Sequence, residues 1–254
     1  MADYTLHPLV NLFMDNEYSM MTYGENFGVK KEIPVIFWLI RGEGRTVLVD
    51  SGACDAALAT KNHYPAHQTE AMLPQNLLAA KGVDPAAVSE VILTHLHWDH
   101  CYNLELFPNA RIYVQKRELV YAVDPNPCHW TPYESSRSGI APTWLEHMDR
   151  FEIIDGDHTL YEGIEIYFLP GHSPGMQGVV VHTRAGRYLI ASDNIPLYRN
   201  WEGANGQKHI PSNIHYDLDE YYASLDRMET ICDVVLPDHD VDMLPFTIFP
   251  PEKA

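Results

Sequence analysis

The 254-residue sequence predicts an α/β (α+β) protein in which two β-sheets pack face to face with helices outside. Two observations carry this: β-branched and aromatic runs come in closely spaced pairs, and segments of helical periodicity lie between the pairs. VIFWLI (35–40) and RTVLVD (45–50) flank the turn signal RGEG, and GVVVHT (178–183) and RYLIAS (187–192) flank RAG. Each pair is expected to form antiparallel neighbours.

Between the pairs, EAMLPQNLLAAKG places Leu73, Leu77 and Leu78 on one face, with Pro74 near the helix start and Gly82 as its stop. DEYYASLDRMETIC aligns Tyr221 or Tyr222 with Leu225, Met228 and Cys232. The chain contains no repeat, low-complexity tract or linker, so residues 1–254 are read as one domain.

Composition narrows the function. A formal charge of -18 with only 17 Lys and Arg argues against a nucleic-acid partner, because phosphate binding needs clustered cations. The start MADYTLHPLV lacks a basic segment followed by an apolar one, and no apolar run is long enough to span a bilayer. A cytoplasmic protein without membrane contact is expected. Cys54, Cys101, Cys128 and Cys232 are far apart, form no CxxC pair and are read as reduced thiols.

The chemistry is concentrated in THLHWDH, which follows the strand-like VSEVILT (88–94). In extended or loop backbone His95 and His97, two apart, can share one ion, while Asp99 and His100 reach a second. Burying so many polar groups together would be costly without a cation to satisfy them. His172 in LPGHSPG, Asp193 in IASDN and His239 in LPDHD also stand just after predicted strands. Strand ends gathered at one sheet edge would bring these three to the same place.

These segments resemble the metallo-β-lactamase superfamily, whose HxHxDH motif is present as His95, His97, Asp99 and His100. More narrowly, IPVIFWLI, TVLVDSG, THLHWDH, LPGHSPG, ASDN and PDHDVD resemble, in order and spacing, the N-acyl homoserine lactonases, over about Tyr4 to Phe249. The resemblance implies an αβ/βα sandwich of two mixed sheets. It implies that His95, His97 and His172 hold one divalent ion, that Asp99, His100 and His239 hold another, and that Asp193 bridges them. Asp50 would lie beneath the site, and the Gly171–Gly175 loop would position His172. The implied activity is opening of a lactone ester, an N-acyl homoserine lactone or a related small lactone, by a metal-bridging hydroxide. Imidazole and carboxylate ligands without thiolate suit two Zn ions and also admit Mn, Fe or Co.

Asp99 is a candidate proton acceptor as well as a ligand. Many lactonases of this kind carry a tyrosine three residues after the bridging aspartate; here that position is Pro196, which has no side-chain donor. Tyr198 and His215 are the candidate replacements. The aromatic and methionine-rich segment 16–28, Trp98, Tyr102 and the proline-rich 125–136 are candidate walls of a substrate cavity, or surfaces for a homodimer. Two alternatives share HxHxDH: a thioesterase of the glyoxalase II type, and an amide or β-lactam hydrolase. A third is a metal-bound scaffold without turnover.

Overall fold

In the hairpin flanking RGEG, alternate side chains of one strand point to opposite sides, and both sides are buried. A computed structural model, which describes residues 2–251, shows what covers each side. Strands β1 (Thr5–Glu17), β2 (Lys30–Gly42) and β3 (Arg45–Val49) open the chain, followed by helix α1 (Ala56–Asn62), strand β4 (Ala66–His67) and helix α2 (Pro74–Ala80). Then come β5 (Glu90–Ile92), β6 (Arg111–Gln115), α3 (Lys116–Val123), β7 (Phe151–Ile154), β8 (His158–Tyr161) and β9 (Ile164–Phe168). The chain continues through β10 (Gln177–Thr183), β11 (Gly186–Ile190), α4 (Tyr198–Glu202), α5 (Leu218–Ile231) and β12 (Val234–Leu236).

The strands form a seven-stranded sheet, β4-β1-β2-β3-β5-β6-β7, and a five-stranded sheet, β12-β11-β10-β9-β8. Both expected hairpins are present: β2 with β3, and β10 with β11, are antiparallel neighbours. Both sheets are nevertheless mixed, because β3, β5, β6 and β7 run parallel to one another, and β12 runs parallel to β11.

Period-two alternation divides the apolar residues between layers. Ile36, Trp38 and Ile40 of β2 meet Ile164, Ile166, Val179 and Val181 of the other sheet in one buried cluster. Phe37 and Leu39 point the other way, onto Leu78 of α2 and Leu119 of α3. On the far side, Val180 and Leu189 pack under Tyr221, Leu225 and Met228 of α5. The result is helix, sheet, sheet, helix. Tyr221, not the exposed Tyr222, is the buried member of the α5 face. Leu73 precedes α2 as its N-cap in extended backbone, so Leu77 and Leu78 carry that helical face, and Gly82 with φ +70° ends it as expected.

Parallel pairing also positions the chemistry. The loops after β3 and β5 lie side by side, as do those after β11 and β12, so residues beyond these strand ends converge at one edge of the sandwich.

Candidate metal centre

Seven side chains from four loops meet at that edge, each nine-tenths or more buried. Asp193, after β11, stands at the middle. Its Oδ2 lies 3.1 Å from His172 Nε2 and 3.8 Å from His95 Nε2, and His97 Nδ1 is 3.1 Å from His172 Nε2. Its Oδ1 lies 3.2 Å from His100 Nε2 and 3.1 Å from His239 Nε2. Asp99 Oδ2 completes this second group, 3.7 Å from both of those nitrogens. Two positions able to hold a cation therefore share one carboxylate: a first with three imidazoles, and a second with two imidazoles and Asp99.

The chemistry of the donor set fits metal. His95 Nε2 and His100 Nε2, one in each position, are buried without a hydrogen-bond partner. Leaving such atoms unsatisfied costs about 1–3 kcal/mol each, a penalty that a bound cation removes. Burial holds the His95 and His97 imidazoles well below the usual histidine range, and it brings His172 down to about 4. These rings are neutral, as metal ligands must be. Burial lifts the Asp193 carboxyl, but the surrounding imidazoles of His172, His100 and His239 outweigh it and leave the group well below the usual carboxylate range.

The far nitrogens of the rings are anchored. His100 Nδ1 lies 2.9 Å from Asp50 Oδ2, and Asp50 also accepts from the Thr94 amide and hydroxyl. His239 Nδ1 is 2.8 Å from the Pro34 carbonyl, and His172 Nδ1 is 3.4 Å from Ser212 Oγ. Such partners fix ring orientation and tautomer. Asp238, beside His239 in sequence, comes within 4.0 Å of His239 Nε2, yet its Oδ2 accepts from Ser192 Oγ and lies 3.8 Å from His100 Nδ1, the nitrogen already facing Asp50. Asp238 and Asp99 therefore both approach the second position: one ligand atom each of His100, Asp193, Asp238 and His239 lie within 4.8 Å of one another, and Asp99 Oδ2 stands 3.7 Å from both imidazole nitrogens.

Tyr221 ties the supporting loops together. Its hydroxyl accepts from the Ser212 amide and contacts the Asp193 and Asn194 carbonyls, while its backbone leaves no room for a side chain at Gly171. Glu118, in the first turn of α3, accepts four hydrogen bonds from the segments around His95, His97 and His172.

A cavity of about 450 Å³ is lined by Met20, His63, Tyr64, Trp98, Pro132 and Ile214, together with Cys128, His129, Thr131, Asn213 and His215. Trp98 lies within THLHWDH and stacks on His63, with centroids 4.1 Å apart. Both segments expected as walls, 16–28 and 125–136, contribute to it.

The sequence profile of the metallo-beta-lactamase superfamily matches residues 33–236, which include all seven of these side chains except His239. The chain belongs to the metallo-beta-lactamase superfamily. Within it, the chain is 28% identical to the N-acyl homoserine lactonase AttM of Azorhizobium caulinodans over 264 residues, covering 96% of each chain. It is also 28% identical to the N-acyl homoserine lactonase AiiA of Bacillus thuringiensis subsp. kurstaki over 180 residues, 67% of each chain. An AiiA variant structure with N-decanoyl-L-homoserine bound at its active site superposes with a TM-score of 0.80 at 23% identity, covering 99% of both chains. An N-acyl homoserine lactone hydrolase structure carrying N-hexanoyl-L-homoserine superposes equally well, at 22% identity.

One expectation is corrected on this superfamily frame. Tyr198, proposed as a replacement donor, begins α4 and turns away from the centre. Its hydroxyl meets Met243 Sδ at 3.2 Å, its amide donates to Asp240, and its ring packs against the apolar layer between the sheets. Pro196 is placed by its carbonyl, which accepts from the His239 amide. His215, the other candidate, does line the cavity. Its Nδ1 lies 3.2 Å from the Ser212 carbonyl, a pure acceptor, so that nitrogen carries the proton and Nε2 is left as the exchangeable one. Cys101 is not a ligand: its Sγ donates to the His97 carbonyl.

Glu118, Asp238, Tyr221 and Ser212 escaped the sequence reading as parts of the site. Only Asp238 had a local signal, its place beside a candidate ligand in PDHD.

Proposed function

We propose that this chain is a dinuclear metal-dependent hydrolase that opens the ester bond of a lactone, with N-acyl homoserine lactones as its substrates. His95, His97, His172 and Asp193 would hold one ion, and Asp99, His100, His239 and Asp193 the other. The observation that carries the reading is the division of Asp193 between two groups of imidazoles. Divalent ions bound there, with Zn first and Mn, Fe or Co admitted, would bring the pKa of a water down towards about 7 and polarise an ester carbonyl.

The chain's own residues supply the rest. Asp99, next in sequence to the cavity residue Trp98 and 3.7 Å from the His100 and His239 nitrogens, would accept a proton. His215 Nε2 accepts a proton in the neutral ring and donates one in the protonated ring, so it can relay a proton to the opened ring's alcohol. Met20, Tyr64, Trp98 and Ile214 offer apolar walls for an acyl chain and exclude water from it. The homoserine products bound by the two similar structures support an acyl-amide substrate.

Among the described residues no helix is long and apolar enough to cross a membrane. Four free cysteines support a reducing, cytoplasmic setting. The exposed Tyr23 and Phe27 of the 16–28 loop are the surface over which a homodimer would form, and light scattering of the purified protein tests it.

Proton release on a panel of lactones varying in ring size and acyl chain, wild type against His97→Ala, tests the activity. Faster opening by the metal-loaded wild type is expected; no difference between the two proteins defeats the lactonase reading. Preferential hydrolysis of S-lactoylglutathione would move the assignment to a thioesterase.

A further inference from the structure

Glu118 is a wholly buried carboxylate, and all four of its hydrogen bonds come from segments that carry the first metal position or the cavity wall. Oε1 accepts from the Leu96 amide at 2.9 Å and the Tyr133 hydroxyl at 2.8 Å. Oε2 accepts from the Ser173 hydroxyl at 2.7 Å and the Gly175 amide at 2.9 Å. Leu96 stands between His95 and His97, and Ser173 follows His172. Tyr133 sets its ring edge-on to His97, with centroids 4.5 Å apart, and follows the cavity residues Thr131 and Pro132. The backbone of the His172 loop is pressed onto the start of α3: a Cβ at Gly175 would stand 2.2 Å from the Glu118 amide nitrogen.

One backbone amide faces each oxygen, so both oxygens must accept, and the two hydroxyls complete the set; burial raises the Glu118 carboxyl above the usual range, and these four donors oppose that rise. No hydrogen bond of Glu118 reaches the Asp99 or His100 side chain or the His239 loop; the His100 and His239 rings are anchored instead by Asp50 and the Pro34 carbonyl. The rings of the two positions therefore have different direct anchors, although four of the ligands share the THLHWDH loop.

We infer that Glu118 is the positioning residue of the first metal position, joining the His95–His97 turn to the His172 loop and linking both, through Tyr133, to the wall of the cavity. The inference rests on the metal-centre reading and not on which bond the enzyme breaks. Glu118→Gln keeps the size of the side chain but turns an amide N–H₂ towards two of the four donors, one of which, a backbone amide, cannot become an acceptor.

The test measures zinc affinity by chelator competition at each position in isolation: the first in a His239→Ala background, the second in a His172→Ala background. Glu118→Gln is expected to weaken zinc about 10–100-fold at the first position, the range typical of supporting partners of metal ligands. It is expected to weaken the second position much less, because the His100 and His239 rings keep their own anchors. Ser173→Ala, which removes one donor and spares the carboxylate, should act in the same direction by a smaller factor; it carries the test if Glu118→Gln does not fold. Equal affinities with and without the substitution, or equal weakening at both positions, would overturn the inference. Absence of zinc binding in both backgrounds would instead overturn the metal centre itself, and hydrolysis of a non-lactone ester would overturn only the substrate assignment.

Discussion

The Asp50 carboxylate stands 2.9 Å from His100 Nδ1, across the ring from the Nε2 that faces the metal cluster. Asp50 has φ +61°, a backbone conformation that asparagine tolerates as well as aspartate. Asp50→Asn should therefore fold, while losing the charge that fixes the His100 tautomer. We expect zinc affinity at the second position to fall about 10–100-fold with little change in Tm, read by chelator competition and thermal denaturation.

Metal removal should do more than stop turnover. Ions bound at the buried cluster, which the unfolded chain lacks, would stabilise the native state. At free zinc 100 times Kd the gain is about 2.7 kcal/mol per site, and the Tm of chelator-treated protein should rise on adding zinc back. A Tm indifferent to zinc would contradict the cluster geometry.

Gly171 has φ +146° and lies against the Tyr221 backbone, where a Cβ would stand 2.4 Å from Cα. Gly171→Ala should cost about 1–3 kcal/mol from overpacking, in addition to its backbone strain. Because His172 is the next residue, the same change should reduce bound zinc. Denaturant melts and metal analysis of the variant check both effects.

Tyr198→Phe removes a hydroxyl that meets only Met243, so kcat/KM should stay within about two-fold of wild type. His215→Gln removes the cavity group able to exchange a proton, and kcat should fall by about 100-fold. Steady-state kinetics on one lactone compares them directly; the reverse ranking would return the role to Tyr198.

The contrast between these residues shows what a linear sequence discloses. THLHWDH is legible because four ligands fall within six positions. His172, Asp193 and His239 are legible because each follows a recognisable strand. The hairpins are legible because each is local, whereas the parallel pairing of β3, β5 and β6 depends on connections with no fixed signature. Glu118 was illegible because its four donors come from residues 96, 133, 173 and 175, none near it in the chain. Tyr198 misled because closeness to Asp193 in sequence does not set direction: α4 begins there and turns the ring into the layer between the sheets.

The origins of the ligands along the chain have a consequence for biosynthesis. THLHWDH is made early, but Asp193 and His239 lie beyond β11 and β12, so a ribosome-bound chain displaying only the early turn is an incomplete claw. Capture of the second cation thus reports that the last strand has docked, and molecules truncated before it should lack that cation and be open to proteolysis.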